Sequence, residues 1–293
     1  MNIHLYTTKS DQMSQTRQTR NFAVFCVLFF LLFLLGAPPA WSGVFNIQGS
    51  LVREASVAPG ETITGKIGIQ NVASDSQTFS VEASDYLFYA DGRNVMGKPG
   101  SHPRSNGNWV SFMPNRVVIP ANSVGYINYS IRVPQKSDLK GTYWSLLMIK
   151  AFDKDNPELA SAISASRGKE GLGVRIHIEY GILLVNHIGS SGTKSMRLSG
   201  KHLIFKGGKV LLCADIENTG ERLLKPAVWA ELFDGKGGSL GRFEGTKHSL
   251  LPGCAARFNM DLSKVPKGTY TSLLVADTGD ETALGAKYTL EIK

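Results

Sequence analysis

Several signals of catalysis are missing from the 293-residue sequence. It has no Gly-x-Ser-x-Gly nucleophile elbow, no glycine-rich phosphate loop followed by Lys-Ser/Thr, and no dinucleotide-binding fingerprint. Its histidines are scattered without the spacing of metal ligands. We therefore expect a protein that is not an enzyme, has no catalytic residues and uses no metal or cofactor.

Charged residues are also scarce, at 19% against 42% hydrophobic residues, which excludes collagen, a coiled coil and a wholly disordered chain. The sequence has one long apolar run, residues 22–35. A basic N-terminal region precedes this run, and the small residues of a possible cleavage site, Ala40-Trp41-Ser42, follow it. This pattern is typical of a secretory signal, and the run is shorter than the ~20 residues of a membrane span. We predict a signal peptide over residues 1–42 and an exported product, periplasmic or at the cell surface. If the signal is cleaved, no stable membrane span remains; the alternative is an uncleaved anchor.

Cysteine is rare too, with three in the chain, of which Cys213 and Cys254 follow the predicted signal. In an oxidising compartment such a pair predicts a disulfide that closes a loop of about forty residues. Two separate thiols are the alternative, because sequence cannot show whether the side chains meet. The formal net charge of +8 does not indicate nucleic-acid binding, since an exported protein seldom meets nucleic acid.

What the sequence does contain is a repeated pattern. Gly141-Thr-Tyr-Trp-Ser-Leu-Leu147 recurs as Gly268-Thr-Tyr-Thr-Ser-Leu-Leu274 with one mismatch. Upstream of both copies, in the same order, stand a strand-ending asparagine (Asn71 and Asn218), an Asp-Gly turn and a proline-led segment. Recurrence of these features in one order indicates a duplicated domain.

The spacing of these features predicts the fold class. Short runs rich in Val, Ile, Tyr and Phe, separated by turns roughly every ten residues, are typical of an all-β protein. We predict two tandem immunoglobulin-like β-sandwich domains after the N-terminal signal peptide, over residues 44–190 and 195–293. Tyr143 and Tyr270 stand where such domains place a corner tyrosine. Two loop insertions, residues 94–108 and 153–171, lengthen the first domain.

An alternating apolar stretch, residues 172–184, predicts an unusually long last strand, strand G, in the first domain. Its thirteen residues exceed the ~5–6 of a typical strand. A long alternating edge strand is a template for adding a strand from another envelope or secreted protein. We expect Val174, Ile176, Ile178 and Tyr180 to bind that partner. The alternative is a strand that belongs to the core and is covered by its own loop.

Basic residues of the first insertion lie near aromatic residues in the sequence. Arg104, Trp109 and Arg116 are the residues of a possible cell-wall or glycan-binding patch, as in a surface adhesion module. The alternative is a solvated loop without a ligand.

The layout resembles the PapD-like pilus-assembly chaperones, which are exported periplasmic proteins of two immunoglobulin-like domains. The resemblance rests on an Asn-ended strand (residues 67–71), on Pro120 before strand E, on the long 153–171 loop and on the alternating strand G. It implies that strand G binds an incomplete pilin-like subunit and that a basic pair anchors the subunit's C-terminal carboxylate. Arg53 matches the first member of that pair, and no lysine stands late in strand G for the second.

A second group of motifs is similar to the WxL-interacting cell-surface proteins. These motifs are Asn108-Trp-Val-Ser-Phe-Met-Pro114, Val117-Val-Ile-Pro120 and Asn218-Thr-Gly220. This resemblance implies binding of peptidoglycan or of a partner protein. Both resemblances imply binding rather than catalysis.

Overall fold

The computed structural model describes residues 45–152, 178–280 and 282–293, which belong to one compact unit, Val44–Lys293. Strands dominate these residues, and the only helix among them is a short 3-10 turn, Gly107–Trp109. No helix in this part of the chain is long and apolar enough to cross a membrane. The prediction of an all-β protein built from two immunoglobulin-like sandwiches is confirmed.

The first sandwich has ten strands among the described residues. They are β1 Phe45–Gln48, β2 Val52–Val57, β3 Thr62–Asn71, β4 Gln77–Phe88, β5 Asn94–Gly97, β6 Val110–Met113, β7 Arg116–Ile119, β8 Val124–Arg132, β9 Gly141–Phe152 and β10 Glu179–Ile188. One sheet has the order β1-β3-β8-β6; the other has the order β2-β10-β9-β4-β5, with β7 also paired to β4. The core between the sheets contains Phe45, Ile67, Phe79, Ile127 and Leu147, all fully buried.

The second sandwich has seven strands and repeats the same plan in shorter form. They are β11 Met196–Lys206, β12 Lys209–Asn218, β13 Ala227–Phe233, β14 Ser239–Glu244, β15 Ala255–Asp261, β16 Gly268–Asp277 and β17 Ala283–Ile292. The sheets have the orders β11-β12-β15 and β14-β13-β16-β17. Alternation along the strands sends Val228, Ala230 and Leu232 of β13 into the core, as expected for a half-buried sheet.

The first strand of the first sandwich changes sheets. β1 pairs antiparallel with β3, whereas β2, which starts four residues later, pairs parallel with β10 in the opposite sheet. Gly49 makes the turn between them with φ 84°, a left-handed conformation that favours glycine. Because of this switch, the pairing of β2 with β10 begins only at Val52.

The strand-ending asparagines occupy the same place in both sandwiches. The Asn71 side-chain amide donates to the carbonyls of Asp75, Ile119 and Pro120, at 2.8, 3.0 and 3.0 Å. Asn218 donates in the same way to Arg222 and Leu250, at 2.7 Å each. Both asparagines are fully buried, so each ties the turn after its strand to the segment before the next buried strand. This shared role supports the duplication inferred from sequence.

The corner tyrosines differ between the two copies. The Tyr270 hydroxyl donates to the Pro266 carbonyl at 2.8 Å, as the sequence predicted. Tyr143 instead packs its ring against Trp109, with ring centroids 4.8 Å apart. The Arg104 guanidinium of the 94–108 insertion also lies 5.6 Å from the centroid of the Tyr143 ring. The two equivalent positions have therefore diverged, and the first one now contacts the insertion and the residue after it.

Candidate functional site

β10 is an edge strand over only part of its length. Residues Leu183–Ile188 are paired on both sides, with β9 and with Val52–Val57 of β2. Residues 179–182 are paired with β9 alone among the described residues. Among the described residues the strand spans Glu179–Ile188 and runs past the predicted end at residue 184, and Val174 and Ile176 lie outside the described residues. Among the described residues, the unpaired edge of β10 is therefore limited to residues 179–182, which we call its open half.

In the described part of the chain, the open half has backbone groups that no strand pairs with on the side facing away from β9. Leu183 donates its N–H to the Leu51 carbonyl at 2.8 Å, and Gly189 donates to Val57 at 3.1 Å, so alternate residues face β2. The two-residue period of a strand places Glu179 and Gly181 on that same side, beyond the start of β2. Their N–H and C=O groups form the edge to which another strand could bond.

The even-numbered side chains of β10 face the core. Ile182 and Leu184 are fully buried. Tyr180 contacts the Phe45 ring edge-on at 4.9 Å, and Ile178 packs against the same core cluster. Both Ile178 and Tyr180 remain partly exposed. The structure thus places these two predicted partner-binding residues at the margin of the core, directly beside the open edge.

On the opposite face of β10, apolar side chains surround Gly181. Gly181 has no side chain, and a Cβ there would lie 3.3 Å from both Leu146 Cδ2 and Met148 Sδ. Leu51 and Val52, just across from Leu183, are 41% and 42% exposed. An apolar surface of this kind at an unpaired edge is a common feature of a protein-binding site.

Arg53 lies close to the open half of β10. It is the cross-strand partner of Leu184, two residues from Ile182. One guanidinium nitrogen, Nη2, donates to the Gln48 carbonyl at 3.1 Å, while Nε is buried and has no hydrogen-bond partner among the described residues. A cation with unused donor capacity is suited to holding a carboxylate.

The first insertion is organised by a buried carboxylate on β4. Asp85, only 2% exposed, accepts hydrogen bonds from the Ser101 N–H (2.6 Å), the Ser101 hydroxyl (2.9 Å) and the N–H groups of Gly100 and His102. The Ser105 hydroxyl also donates to it. This role could not be predicted from the sequence, because an isolated aspartate in an alternating strand is usually solvent-exposed. The insertion is consequently an ordered loop.

The three residues of the predicted glycan patch are divided between two places. Arg104 lies 3.1 Å from Glu221 of the second sandwich, and both Arg104 and Trp109 contact Tyr143. Arg116 is the first residue of β7 and pairs with Ser80 of β4. Ser80 in turn pairs with Lys150 of β9, which is seven residues from Tyr143 along that strand. At ~3.3 Å per residue, Lys150 lies about 23 Å along β9 from Tyr143, so Arg116 starts its strand well away from the ring that Arg104 and Trp109 contact.

The two cysteines do not form a disulfide. Both are free and buried. Cys213 Sγ lies 3.1 Å from Asn259 Oδ1 in the β11-β12-β15 sheet, whereas Cys254 packs against Trp144 and Val185 of the first sandwich. Burial raises the pKa of the Cys254 thiol to about 11. The two thiols therefore lie in separate clusters, which is the arrangement given above as the alternative to the predicted disulfide.

A polar seam, which sequence reasoning missed, joins the sandwiches beside β10. The Thr142 hydroxyl accepts a hydrogen bond from the Leu223 N–H at 2.9 Å and contacts His187 Nδ1 at 3.0 Å. Glu54 lies 3.5 Å from the other His187 nitrogen and 2.7 Å from Lys225. Burial lowers the pKa of His187, and the nearby Glu54 carboxylate partly offsets that effect. The only sequence signal was a histidine within an apolar run.

The described residues contain no group of three or more His, Cys, Asp or Glu side chains that could hold a metal ion. The geometry of the site is that of an open strand edge with an apolar margin and a nearby cation. Such an arrangement can bind an extended polypeptide.

No protein-family model and no curated protein sequence matches the chain. Solved structures with a similar layout include the class 5 fimbriae chaperone CfaA, at 11% identity and a TM-score of 0.42, covering 83% of this chain and 98% of that one. The CsuC–CsuE chaperone–tip adhesion subunit complex of Acinetobacter baumannii is similar at 11% identity and 0.40, covering 84% and 98%. The Salmonella enterica SafA pilin–SafB chaperone complex is similar at 15% and 0.37, covering 87% and 99%. These are fimbrial and pilus chaperones and their subunit complexes, the kind of protein that the layout of the sequence resembles. The WxL-type resemblance stays a prediction.

Proposed function

We propose that the protein is an exported, non-enzymatic, chaperone-like protein of the cell envelope that captures another protein by strand addition to the open half of β10. One observation carries this function: residues 179–182 are paired with β9 on one side and have no strand on the other among the described residues. Main-chain bonds to Glu179 and Gly181 supply affinity in this mode of recognition, and side-chain pockets supply specificity.

The surroundings of the edge support an extended, apolar partner segment. Such a segment, lying in line with β2, would cover Met148, which is partly exposed beside Gly181. Val174 and Ile176, predicted from the sequence to continue the strand, extend the proposed contact. Arg53, with its unpartnered Nε, is proposed to hold a carboxylate of the partner.

The proposed partner is a pilin-like subunit or another envelope protein with an incomplete sheet. A strand edge is exposed in such a subunit as well, so that each protein covers the unpaired groups of the other. The separation of Arg104 and Trp109 from Arg116 favours this function over a glycan-binding patch.

Substitutions at Gly181 test the function. Gly181→Pro removes the N–H that faces the open side and puts a ring in its place, while the N–H groups that bond to β9 belong to its neighbours. Gly181→Ala is the matched control, because it adds a Cβ at the same place and keeps the N–H. Each variant is coexpressed with a pilin subunit, and the amount that copurifies is measured.

We expect capture to be lost in Gly181→Pro and largely retained in Gly181→Ala, with circular dichroism showing that both remain folded. Equal capture by the proline variant and the wild type would contradict strand addition at this edge.

A further inference from the structure

The end of the second sandwich that lies away from the first carries an exposed aromatic residue on a hairpin. β11 and β12 are joined by Gly207 and Gly208, both in left-handed conformations (φ 58° and 74°), with no other atoms within 4 Å of a Cβ at either position. Phe205, just before this turn, is 50% exposed. The hairpin thus projects into solvent with a phenylalanine near its tip.

Lysines surround this hairpin without neutralising partners. Lys206 and Lys209 are directly opposite each other in the β11–β12 register, an arrangement of like charges that destabilises a hairpin. The neighbouring loop adds Lys264 and Lys267, and it is held against β12 by the bonds Leu262 N–H to Val210 C=O (2.8 Å) and Val210 N–H to Ser263 Oγ (3.1 Å). In the described part of the chain, none of these four lysines has a carboxylate within 4 Å.

The nearest acidic group does not form an ion pair with these lysines. Asp261 lies near Lys209 and Lys264. Its carboxylate accepts hydrogen bonds from the Ser263 N–H at 2.9 Å and from the Ser263 hydroxyl at 2.5 Å. Asp261 offsets part of the charge of Lys209 and Lys264, and the four lysines together keep a net positive charge.

We propose that this surface, Phe205 with Lys206, Lys209, Lys264 and Lys267, which we term the lysine tip, docks on an anionic lipid membrane. Lysines near a negatively charged bilayer are attracted to its headgroups, and an exposed aromatic side chain at the same hairpin tip can enter the interface. A soluble polyanion would use the lysines and leave Phe205 in water. The exposed phenylalanine is the observation that favours lipid over a polyanion.

Docking through the lysine tip is compatible with an accessible β10. Met196 is opposite Asn218 at one end of the β11–β12 ladder, and Lys206 is opposite Lys209 at the other. Ten residues at ~3.3 Å each separate these ends by about 33 Å. The end near Asn218 contacts the first sandwich, through bonds such as Leu223 N–H to Thr142, so the membrane would meet the distal end.

Vesicle binding tests the lysine tip. Residues 43–293, which include the whole compact unit, are sedimented with vesicles of phosphatidylcholine alone and with vesicles containing an equal part of phosphatidylglycerol. We expect binding only to the anionic vesicles. Lys206→Gln with Lys209→Gln should weaken it roughly 30-fold, since each lysine near such a surface contributes a factor of about five. Lys98→Gln with Lys136→Gln, an equal charge change on exposed lysines of the first sandwich, should leave it within about twofold.

A Phe205→Trp variant separates lipid from polyanion. Insertion predicts a blue shift of the added tryptophan emission with anionic vesicles and none with polyglutamate. The proposal is overturned if the wild type does not sediment with anionic vesicles, if the two double variants lose binding equally, or if polyglutamate binds as tightly as the vesicles and no blue shift occurs.

Discussion

Asp85 allows the sharpest test of the structure, because one buried carboxylate organises the whole first insertion. Replacing Asp85 by asparagine keeps the size of the side chain and changes one acceptor oxygen into an N–H₂ group. That group would face the N–H of Ser101 or the donors near Gly100, which currently donate to the carboxylate. Donors that lost their acceptor would remain largely enclosed.

The expected magnitude follows from the number of bonds. Five hydrogen bonds reach the Asp85 carboxylate. Asparagine retains one acceptor oxygen, so at least two of them are lost. Hydrogen bonds to a charged group contribute about 1.5–3 kcal/mol each, which gives a loss of about 3–6 kcal/mol in the free energy of unfolding. Additivity is incomplete within one network, so we expect a value of about 3 kcal/mol.

Urea unfolding followed by tryptophan fluorescence measures this loss, and trypsin cleavage after Arg104 reports on the loop. Asp91→Asn is the matched control, because that aspartate forms an exposed ion pair with Arg93, and such pairs contribute little. We expect faster cleavage in Asp85→Asn only. If both variants unfold at the same urea concentration and resist trypsin equally, the carboxylate does not organise the loop.

Three further predictions follow from buried groups. Asn71→Ala and Asn218→Ala should each lower the free energy of unfolding by about 2–4 kcal/mol in urea titrations, because each leaves buried carbonyls without donors; unchanged midpoints would contradict the shared role. Burial lowers the pKa of His187 below its ordinary value of about 6.5, so stability should be greatest above pH ~6.5 and decline as the pH falls towards the folded-state pKa. His187→Gln should flatten that decline. Reductant should leave the melting temperature unchanged, and Cys213 and Cys254 should react with a thiol reagent only after unfolding; a fall in melting temperature on reduction would reinstate the disulfide.

The fold could be predicted because the duplicated features are local. Alternation, turn residues and the Gly-Thr-Tyr step depend on neighbours in the sequence, and both Gly-Thr-Tyr copies lie on equivalent strands, β9 and β16. Asn71 and Asn218 could be recognised for the same reason, since each ends a strand. In both, the side-chain amide donates to backbone carbonyls of a nearby segment.

The site was harder to predict because it depends on contacts between distant segments. Whether β10 is an edge strand is decided by β2, more than a hundred residues earlier, which covers its second half only. Arg104 was assigned to a glycan patch because Arg116 is near it in sequence, yet its actual partner is Glu221 of the second sandwich. Composition gives no information about such pairings.

The length of the open edge on β10 is determined by the strand switch at Gly49. The left-handed turn there takes β1 to the opposite sheet, so the strand that pairs with β10 starts at Val52. The Arg53 bond to the Gln48 carbonyl spans this turn and holds β1 and β2 together. A chain without the switch could continue beside β10 and cover Glu179 and Gly181 with its own backbone. The exposed edge and the nearby guanidinium therefore have a common structural origin, which is why we assign both to one binding site.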